Sequence, residues 1–309
     1  MASWRGNVVS FKNNLNIKLM EKKKLTNTFK ITFLALTGYL LFCTMDSMAK
    51  HLVQTLDVSQ VVWGRFFFHF VALTIFFLIF RPQLNLKKDF KIQLIRSLLL
   101  LIATFFMFNA LKRFDFVDIY IVFFTAPLIL ALISAIYFKD FLSLKGWILM
   151  SLSFCAIIFA VGPSMKVFTP ALIFPIVPPI CWALYQFFTK LISHNREPFV
   201  AVFYTGLFGS IFFTIYNFFN WTPIEDNIIW LKLLALGTGG FFSHFIMIYA
   251  IQLSNLSFVA NFQYSQLIWS TIINFLIFGV PIGMNKTLGI FAIILLGILF
   301  IKSEGKKNT

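Results

Sequence analysis

Charged residues are scarce in this chain. Only 12% of its 309 residues are Asp, Glu, Lys or Arg, whereas 59% are hydrophobic. A soluble domain of this size carries roughly a quarter charged residues. Apolar runs close to the ~20 residues that a helix needs to cross a bilayer recur along the whole chain. These features exclude a soluble globular domain and predict an all-α integral membrane protein.

Cysteine is rare as well, and its three copies, Cys43, Cys155 and Cys181, fall inside apolar runs. No CxxC pair or Cys/His cluster occurs, so neither a metal site nor a disulfide framework is predicted. The motifs of serine hydrolases, zinc proteases, nucleotide-binding loops and dinucleotide-binding folds are also missing. We therefore expect no enzyme activity, no cofactor, no metal ion and no direct use of ATP by this chain.

The N-terminal segment lacks a cleavable signal. Its first 30 residues are basic and polar, without an apolar stretch that ends in a small-residue cleavage site. We expect residues 1–30 to form a cytoplasmic tail and residues 1–19 to be dispensable. Met20 is an alternative start of the chain, and the choice between Met1 and Met20 stays open.

Acidic residues are few, and 26 Lys and Arg against 11 Asp and Glu give a net charge of +15. A basic surface with interleaved aromatic residues, which nucleic-acid binding requires, is absent. With a cytoplasmic N-terminus, 18 basic residues fall in cytoplasmic segments and 6 on the other side, while Arg65 and Arg96 lie inside apolar runs. This bias predicts a multi-pass protein of the cytoplasmic (inner) membrane with both termini in the cytoplasm and no nucleic-acid partner.

Ten apolar runs qualify as membrane crossings. They cover about residues 31–50, 60–80, 94–111, 117–138, 146–162, 170–191, 198–219, 229–250, 258–279 and 287–302. Proline and glycine interrupt several of them. We expect Pro127, and the group Pro175, Pro178 and Pro179, to kink or break the fourth and sixth crossings. Glycines near Gly237 in the eighth crossing permit close helix contact or a hinge.

An internal repeat with an offset of 140 residues relates the two halves of the chain. Asn109-Ala110-Leu111 before the fourth crossing corresponds to Tyr249-Ala250-Ile251 before the ninth. The predicted units are two five-helix repeats, 31–165 and 166–302, followed by a cytoplasmic tail, 303–309. Because five is odd, the second repeat is inverted relative to the first. Inverted repeats are typical of secondary transporters, whose substrate site lies near the midplane between the halves.

Charged residues inside the first two crossings are the first candidate site residues. Asp46 and Lys50 lie near the outer end of the first crossing, and Arg65 and His69 share one face of the second. Charges in hydrocarbon are costly and usually functional. Two interpretations stay open: these side chains line or gate a substrate path, or they form an ion pair that pins the first two helices together. Asp46 is the best candidate for proton coupling, with His69 or His244 behind it.

Amides and aromatic residues supply the rest of the candidate site. The ninth crossing carries two polar stripes, one with Asn261, Ser265 and Ile268 and one with Gln263, Gln266 and Ser270. Because unpaired amides are unfavourable in hydrocarbon, both stripes need partner helices, water or ligand. An aromatic cage with a few amides suits a flat or cationic organic solute, although hydrogen bonds between helices and aromatic residues at the membrane interface explain the same residues equally well. The further candidates for substrate binding or gating are Asn109, Trp182, Tyr185, His244 and Tyr264.

Taken together, these residues resemble the drug/metabolite transporter superfamily, in its ten-helix EamA family. The resemblance covers about residues 31–302 and rests on the order and spacing of several short motifs. These are Asp46…Lys50, Gln60-Val-Val-Trp-Gly-Arg65, Arg96-Ser97, Asn109-Ala110-Leu111, Ala126-Pro127-Leu128, Phe138-Lys139-Asp140, Tyr249-Ala250, Phe262-Gln263-Tyr264-Ser265-Gln266, Phe278-Gly279 and Gly289.

The resemblance implies a basket of ten helices, with the fifth and tenth peripheral, around a cavity that opens alternately to each side. Members usually carry Glu where this chain has Asp140, and the matching turn of the second half, Gly279-Val280-Pro281, has no acid. This departure puts a paired acid at those turns in doubt. The family moves amino acids, nucleotide-like cofactors, vitamins, polyamines and drugs. The Asp–Lys–Arg pattern is more loosely similar to the subgroup of S-adenosylmethionine and riboflavin carriers.

We therefore expect a secondary transporter of a small organic metabolite that works by alternating access, with a small-molecule substrate and the lipid bilayer as its partners. An amino-acid or drug exporter of the same family is the alternative within transport. A membrane scaffold or receptor without flux is the alternative of another class. Substrate, direction, coupling ion and oligomeric state stay open.

Overall fold

Helices make up all the regular structure in the described part of the chain. The computed structural model describes residues 2–81, 86, 88–114, 116–161, 170–193, 198–278 and 283–304, with nearly all side chains from Asn27 onward. The helices are α1 (Ala2–Leu52), α2 (Val58–Phe80), α3 (Phe90–Arg113), α4 (Phe116–Phe123), α5 (Ala126–Phe138), α6 (Leu144–Val161), α7 (Ile173–Leu191), α8 (Pro198–Phe218), α9 (Asn227–Leu253), α10 (Leu256–Asn261), α11 (Gln266–Phe278) and α12 (Met284–Glu304). The all-α prediction is confirmed. The predicted boundary at residues 165/166 and the Gly279-Val280-Pro281 turn lie outside the described residues.

Seven helical spans in the described ranges are long and apolar enough to cross a membrane. They are Asn27–Leu52, Val58–Phe80, Phe90–Arg113, Pro170–Leu191, Pro198–Phe218, Asn227–Leu253 and Thr287–Glu304. Two shorter apolar helices, Ala126–Phe138 and Leu144–Ala160, accompany them. The chain is therefore a multi-pass membrane protein, while the count of ten crossings stays a prediction.

The fourth and ninth predicted crossings are each built from two helices. Between α4 and α5, Pro127 stands at the start of the second helix, where its missing N–H costs no helical hydrogen bond. The break expected at Pro127 is confirmed. Between α10 and α11, the turn Phe262–Ser265 is a 3₁₀ helix without proline or glycine. In the sixth crossing α7 runs without a break through Pro178 and Pro179, so the expected break is absent there and the expected kink stays a prediction.

The polarity of this bundle is inverted relative to a soluble protein. Large apolar side chains such as Phe219 (81% exposed) and Leu144 (78% exposed) cover its outside. Arg65, His69 and Arg96 are all at most 4% exposed. Because lipid is as apolar as these outer side chains, such a surface is stable only in a membrane, and the polar interior is where a function would be sought.

Small residues bring neighbouring helices into close contact. A Cβ added at Gly237 of α9 would overlap Phe68 and the backbone of His69 on α2, so only glycine fits there. Gly289 of α12 meets Ala160 of α6 in the same way. The close contact expected at Gly237 is therefore confirmed, and it fixes α2 against α9, the two helices that carry Arg65 and His244.

Candidate functional site

A central cavity lies where α1, α2, α3, α7 and the interrupted crossings meet. Its volume is about 50 Å³, room for one or two water molecules at about 30 Å³ each. Four of the predicted site residues line it: Asp46, Arg65, Trp182 and Gln266. The other lining residues are Phe42, Met45, Leu100, Ala103, Thr104, Met107, Phe108, Phe123 and Pro178.

The carboxylate of this cavity is held by a tyrosine. Tyr120 of α4 donates its hydroxyl hydrogen to Asp46 Oδ2 over 2.7 Å, and the two side chains are 2% and 7% exposed. A hydrogen bond to an ionised group is about twice as strong as one between neutral groups. The short helix α4, which ends at Phe123, therefore positions the acid of α1.

The guanidinium of this cavity is shared among three helices. Arg65 donates to Thr104 Oγ1 over 2.5 Å and to His244 Nε2 over 2.9 Å, and its Nε lies 3.5 Å from the sulfur of Met45. Since arginine only donates, His244 Nε2 is an acceptor and the ring carries its hydrogen on Nδ1. These neutral partners hold the guanidinium beside the cavity without neutralising its charge.

The hydrogen bonds continue from His244 to a second buried arginine. His244 Nδ1 lies 3.0 Å from the hydroxyl of Tyr185, and Arg96 donates to the same hydroxyl over 2.7 Å. Arg96 is fully buried and also donates to Thr189 Oγ1 and to the carbonyl of Ala201. The guanidinium groups of Arg65 and Arg96 are thus joined through one imidazole and one phenol. A negative charge to balance them would have to come from Asp46 or from a ligand.

Aromatic rings form the apolar wall of the cavity. Trp182 meets Phe42 edge to face with ring centroids 5.2 Å apart and stacks on Tyr185 at 5.3 Å. Its indole nitrogen donates to Gln263 Oε1 over 3.2 Å. Gln263 Nε2 in turn lies 3.4 Å from the carbonyl of Phe123, at the break between α4 and α5. The Gln263 amide therefore orients the ring of Trp182 and does not line the cavity itself.

Lys50 does not line the cavity. Its Nζ donates to the carbonyls of Leu111 (2.6 Å) and Phe114 (2.9 Å), where α3 ends. The interpretation that Asp46, Lys50 and Arg65 pin the first two helices together as an ion pair stays a prediction. The hydrogen bonds of the described residues join Asp46 to Tyr120, and Arg65 to Thr104 and His244. A lysine side chain is long enough to reach the free carbonyls at the C-terminus of a neighbouring helix.

Three further predicted residues lie away from the central cavity. His69 Nε2 is 3.3 Å from the carbonyl of Val202, and its ring centroid is 6.2 Å from that of His244. Asn109 bonds within α3, to the carbonyl of Phe105 and to Arg113. Tyr264 lines a second cavity on the other side of the ninth crossing.

Sequence reasoning left three residues of the network out of the candidate site: Arg96, Thr104 and Tyr120. Arg96 had a usable signal, since it is a charge inside an apolar run. Thr104 and Tyr120 had none, because a single hydroxyl in a membrane helix commonly bonds its own backbone or lies at an interface. In the part of the chain that the structure describes, no group of three His, Cys, Asp or Glu side chains could hold a metal ion.

Comparison with known proteins is consistent with this architecture. Curated relatives are S-adenosylmethionine uptake transporters of Rickettsia prowazekii (strain Madrid E), 22% identical over 84% of this chain and 88% of the relative, and of Rickettsia conorii (strain ATCC VR-613 / Malish 7), 22% identical over 89% and 95%. A solved crystal structure superposes with a TM-score of 0.74 over 87% of this chain and 97% of its own, at 14% identity, which shows a shared fold.

The model of the EamA-like transporter family matches this chain twice, over residues 29–162 and 169–303. The two matches together cover most of the 309 residues, and each contains one of the two lysines that cap a neighbouring helix end, Lys50 and Lys190. The chain belongs to the EamA-like transporter family, within the drug/metabolite transporter superfamily.

Proposed function

We propose that this protein is a secondary transporter that moves a zwitterionic, nucleoside-type metabolite across the cytoplasmic membrane by alternating access. The observation that carries the proposal is the central cavity, which places one carboxylate, one guanidinium and an aromatic wall around the same small space. Arg65 would bind a carboxylate of the solute, and Asp46 would face its cationic group. Trp182 and Phe42 would contact a flat ring by stacking or cation–π interaction.

S-adenosylmethionine is the first solute to test. The name of the curated relatives suggests it, and its groups have counterparts around the cavity: its carboxylate would pair with Arg65, its sulfonium or amino group with Asp46, and its adenine ring with the aromatic wall. Two buried arginines, Arg65 and Arg96, outnumber the single carboxylate of Asp46 in the network. This surplus of positive charge favours a solute with at least one anionic group.

The proposed halves are 31–165 and 166–302, the second inverted, between the tails 1–30 and 303–309. Helix boundaries support this division. α4 and α10 begin at Phe116 and Leu256, and α5 and α11 span Ala126–Phe138 and Gln266–Phe278. Each pair differs by the 140 residues of the sequence repeat. The same break therefore recurs at the same place in both halves.

The lysine contacts obey the same offset. Lys50 donates to the carbonyls of Leu111 and Phe114, whereas Lys190 donates to those of Ile251 (3.0 Å) and Ser254 (2.5 Å). Adding 140 to each number of the first set gives the second. If the halves are inverted, these two lysine caps lie at opposite membrane faces, as a pair of gates requires.

The size of the central cavity supports a moving transporter. A drug-sized or metabolite-sized ligand occupies a pocket of about 300 Å³ or more, whereas the volume here is about 50 Å³. The helices around Asp46 and Arg65 must therefore separate before a solute can enter. This contracted arrangement fits a state between the two open ones.

The decisive experiment is counterflow in proteoliposomes loaded with S-adenosylmethionine and, separately, with an amino-acid and a nucleoside pool. We expect exchange of S-adenosylmethionine by the native protein. Arg65→Ala should lower exchange by about tenfold or more, because a hydrogen bond to a charged group contributes about 1.5–3 kcal/mol. Arg113→Ala is the matched control, since Arg113 bonds within α3 and lies over Phe174, away from the cavity.

The alternatives make different predictions in the same assay. Exchange of amino acids or drugs without S-adenosylmethionine would favour an exporter of the same family. No exchange of any pool by folded protein would favour a scaffold or receptor. Equal exchange by Arg65→Ala and native protein would refute the role of Arg65. Reporter fusions at each end of the chain would test the proposed cytoplasmic location of both termini.

A further inference from the structure

A second and larger cavity lies between α1, α6, α12 and the ninth crossing. Its volume is about 310 Å³, which falls within the range of small-molecule sites. Most of its lining is aliphatic or aromatic. The lining residues are Leu36, Ser153, Asn261, Phe262, Tyr264, Ser265, Ile268, Trp269, Ile293, Ile294, Gly297, Ile298 and Ile301.

This cavity contains the polar stripe of the ninth crossing that the central site does not use. Asn261, Ser265 and Ile268 face it, while Gln266, from the other stripe, lines the central cavity. Asn261 lies directly before the 3₁₀ turn Phe262–Ser265, and Gln266 lies directly after it. The proposed transport pathway therefore leaves the first stripe without a role.

Four polar atoms around the second cavity have no hydrogen-bond partner among the described residues. They are Asn261 Oδ1, Tyr264 Oη, Ser265 Oγ and Trp269 Nε1. Asn261, Tyr264 and Ser265 are 4%, 1% and 6% exposed. A buried polar atom without a partner is unfavourable, most of all where the surroundings are apolar. All four atoms belong to residues of the ninth crossing that line this one cavity, so a ligand whose polar end entered that wall would satisfy them together.

The donor and acceptor types define that polar end. Trp269 Nε1 only donates, Asn261 Oδ1 only accepts, and Ser265 Oγ does both. A matching group must therefore offer both an acceptor and a hydrogen, as a hydroxyl beside an ester does. None of the described residues that line the cavity is Asp, Glu, Lys, Arg or His, so a carboxylate or phosphate would be buried without a counter-charge from them, at high cost.

The remaining walls are suited to a hydrocarbon chain. Ile294 and Ile298 of α12 line the cavity and are also 45% and 47% exposed on the outer surface of the bundle. The cavity therefore borders the face that contacts acyl chains. Between them, Gly297 leaves open space: a Cβ added there would meet no atom within 4 Å.

We propose that this cavity binds an uncharged, hydroxyl-bearing lipid of the acylglycerol class, with its ester and hydroxyl on Asn261, Ser265 and Trp269 and its acyl chain along α12. The site is separate from the proposed solute pathway and does not depend on it. Because α12 and the ninth crossing both form its walls, an occupant would stabilise the packing of the tenth predicted crossing against the ninth.

The test is photolabelling of the purified full-length protein with a monoacylglycerol that carries a diazirine in its acyl chain, followed by peptide mass spectrometry. We expect labels on α11 and α12 near the cavity. Gly297→Phe places a ring in the open space and should lower this labelling by about tenfold or more. Gly239→Phe is the matched control, since a Cβ at Gly239 also meets nothing within 4 Å but the residue does not line either cavity.

The polar end is tested separately. The double substitution Asn261→Leu and Trp269→Phe should weaken labelling by the monoacylglycerol and leave labelling by a diazirine hydrocarbon without a polar group unchanged. Labels spread evenly over the bundle, or unaffected by Gly297→Phe in protein of native thermal stability, would overturn the site. Equal labelling by a fatty-acid carboxylate would overturn the uncharged class. Displacement of the label by S-adenosylmethionine would assign the cavity to the transport pathway instead.

Discussion

At the scale of single residues, the central site depends on partners that come from other helices. Asp46 and Arg65 stood out in the sequence because each is a charge inside an apolar run, and both line the central cavity. The tyrosine that binds Asp46 lies 74 positions further along the chain. Sequence spacing predicts faces within one helix, but it does not fix the rotation of one helix against another. Tyr120 was therefore beyond prediction.

Removing the Tyr120 hydroxyl isolates its effect on Asp46. Tyr120→Phe keeps the ring, which packs against Phe124, and removes the hydrogen bond to the carboxylate. We expect the free energy of unfolding to fall by about 1.5–3 kcal/mol and transport to fall with it, as measured by thermal unfolding in detergent and by counterflow. Tyr137→Phe is the control, because that ring is exposed on the bundle surface. Equal loss in both variants would refute a specific role for the hydroxyl.

Lys50 shows why charge alone is an incomplete guide. Its position, one turn after Asp46, suggested a common site, yet its four-carbon side chain reaches the end of α3 instead. Both acceptors of the Lys50 ammonium are backbone carbonyls, which carry no signal in the sequence. The 140-residue repeat, together with the equivalent contact of Lys190, indicates that Lys50 binds the carbonyls at the end of a neighbouring helix.

At the scale of helices, the breaks in the fourth and ninth crossings differ in how well they could be predicted. Pro127 marked the first in the sequence. The second, at Phe262–Ser265, has no proline or glycine. The side chains of this turn lie on two sides of it: Gln263 accepts a hydrogen bond from Trp182, while Tyr264 and Ser265 line the second cavity. Tertiary contacts override local propensity there.

The two lysine caps predict opposite effects on the two faces of the bundle. Lys50→Met removes the contacts between α1 and the end of α3, and Lys190→Met removes those between α7 and the end of α9. We expect each substitution to shift the conformational equilibrium by about tenfold toward opening at its own face. Accessibility of single cysteines to impermeant thiol reagents, added to either side, measures this shift.

Lys232→Met serves as the control for this pair, since Lys232 of α9 contacts the side chain of His51 and not the carbonyls at a helix end. The result that would contradict the prediction is the same change in accessibility at both faces for Lys50→Met and Lys190→Met. In that case the caps would only stabilise the fold.

At the scale of the whole molecule, the contracted cavity predicts that turnover exposes groups that are now buried. Cys43 is fully buried and its sulfur lies 3.9 Å from the carbonyl of Gln266, so it joins α1 to the ninth crossing. Thiol reagents attack thiolates that water can reach. We expect alkylation of Cys43 to be slow in the resting protein and to accelerate when exchange is driven by substrate.

Mass spectrometry of the native protein can follow this reaction without any substitution. Cys155 is exposed on the outer surface of the bundle and provides the internal reference when the reagent is a membrane-permeant maleimide. If the ratio of Cys43 to Cys155 alkylation stays constant while counterflow proceeds, α1 and the ninth crossing do not separate during transport, and alternating access around this cavity is refuted.

The hydrogen bond between Arg65 and His244 has a consequence for energy coupling. One nitrogen lone pair of the imidazole receives that bond, and the other nitrogen already carries its hydrogen toward Tyr185. A proton that arrives at the ring can attach only where Arg65 now donates. Protonation of His244 and attachment of Arg65 to it are therefore mutually exclusive, so that a proton taken up by this imidazole would free the guanidinium at the same moment.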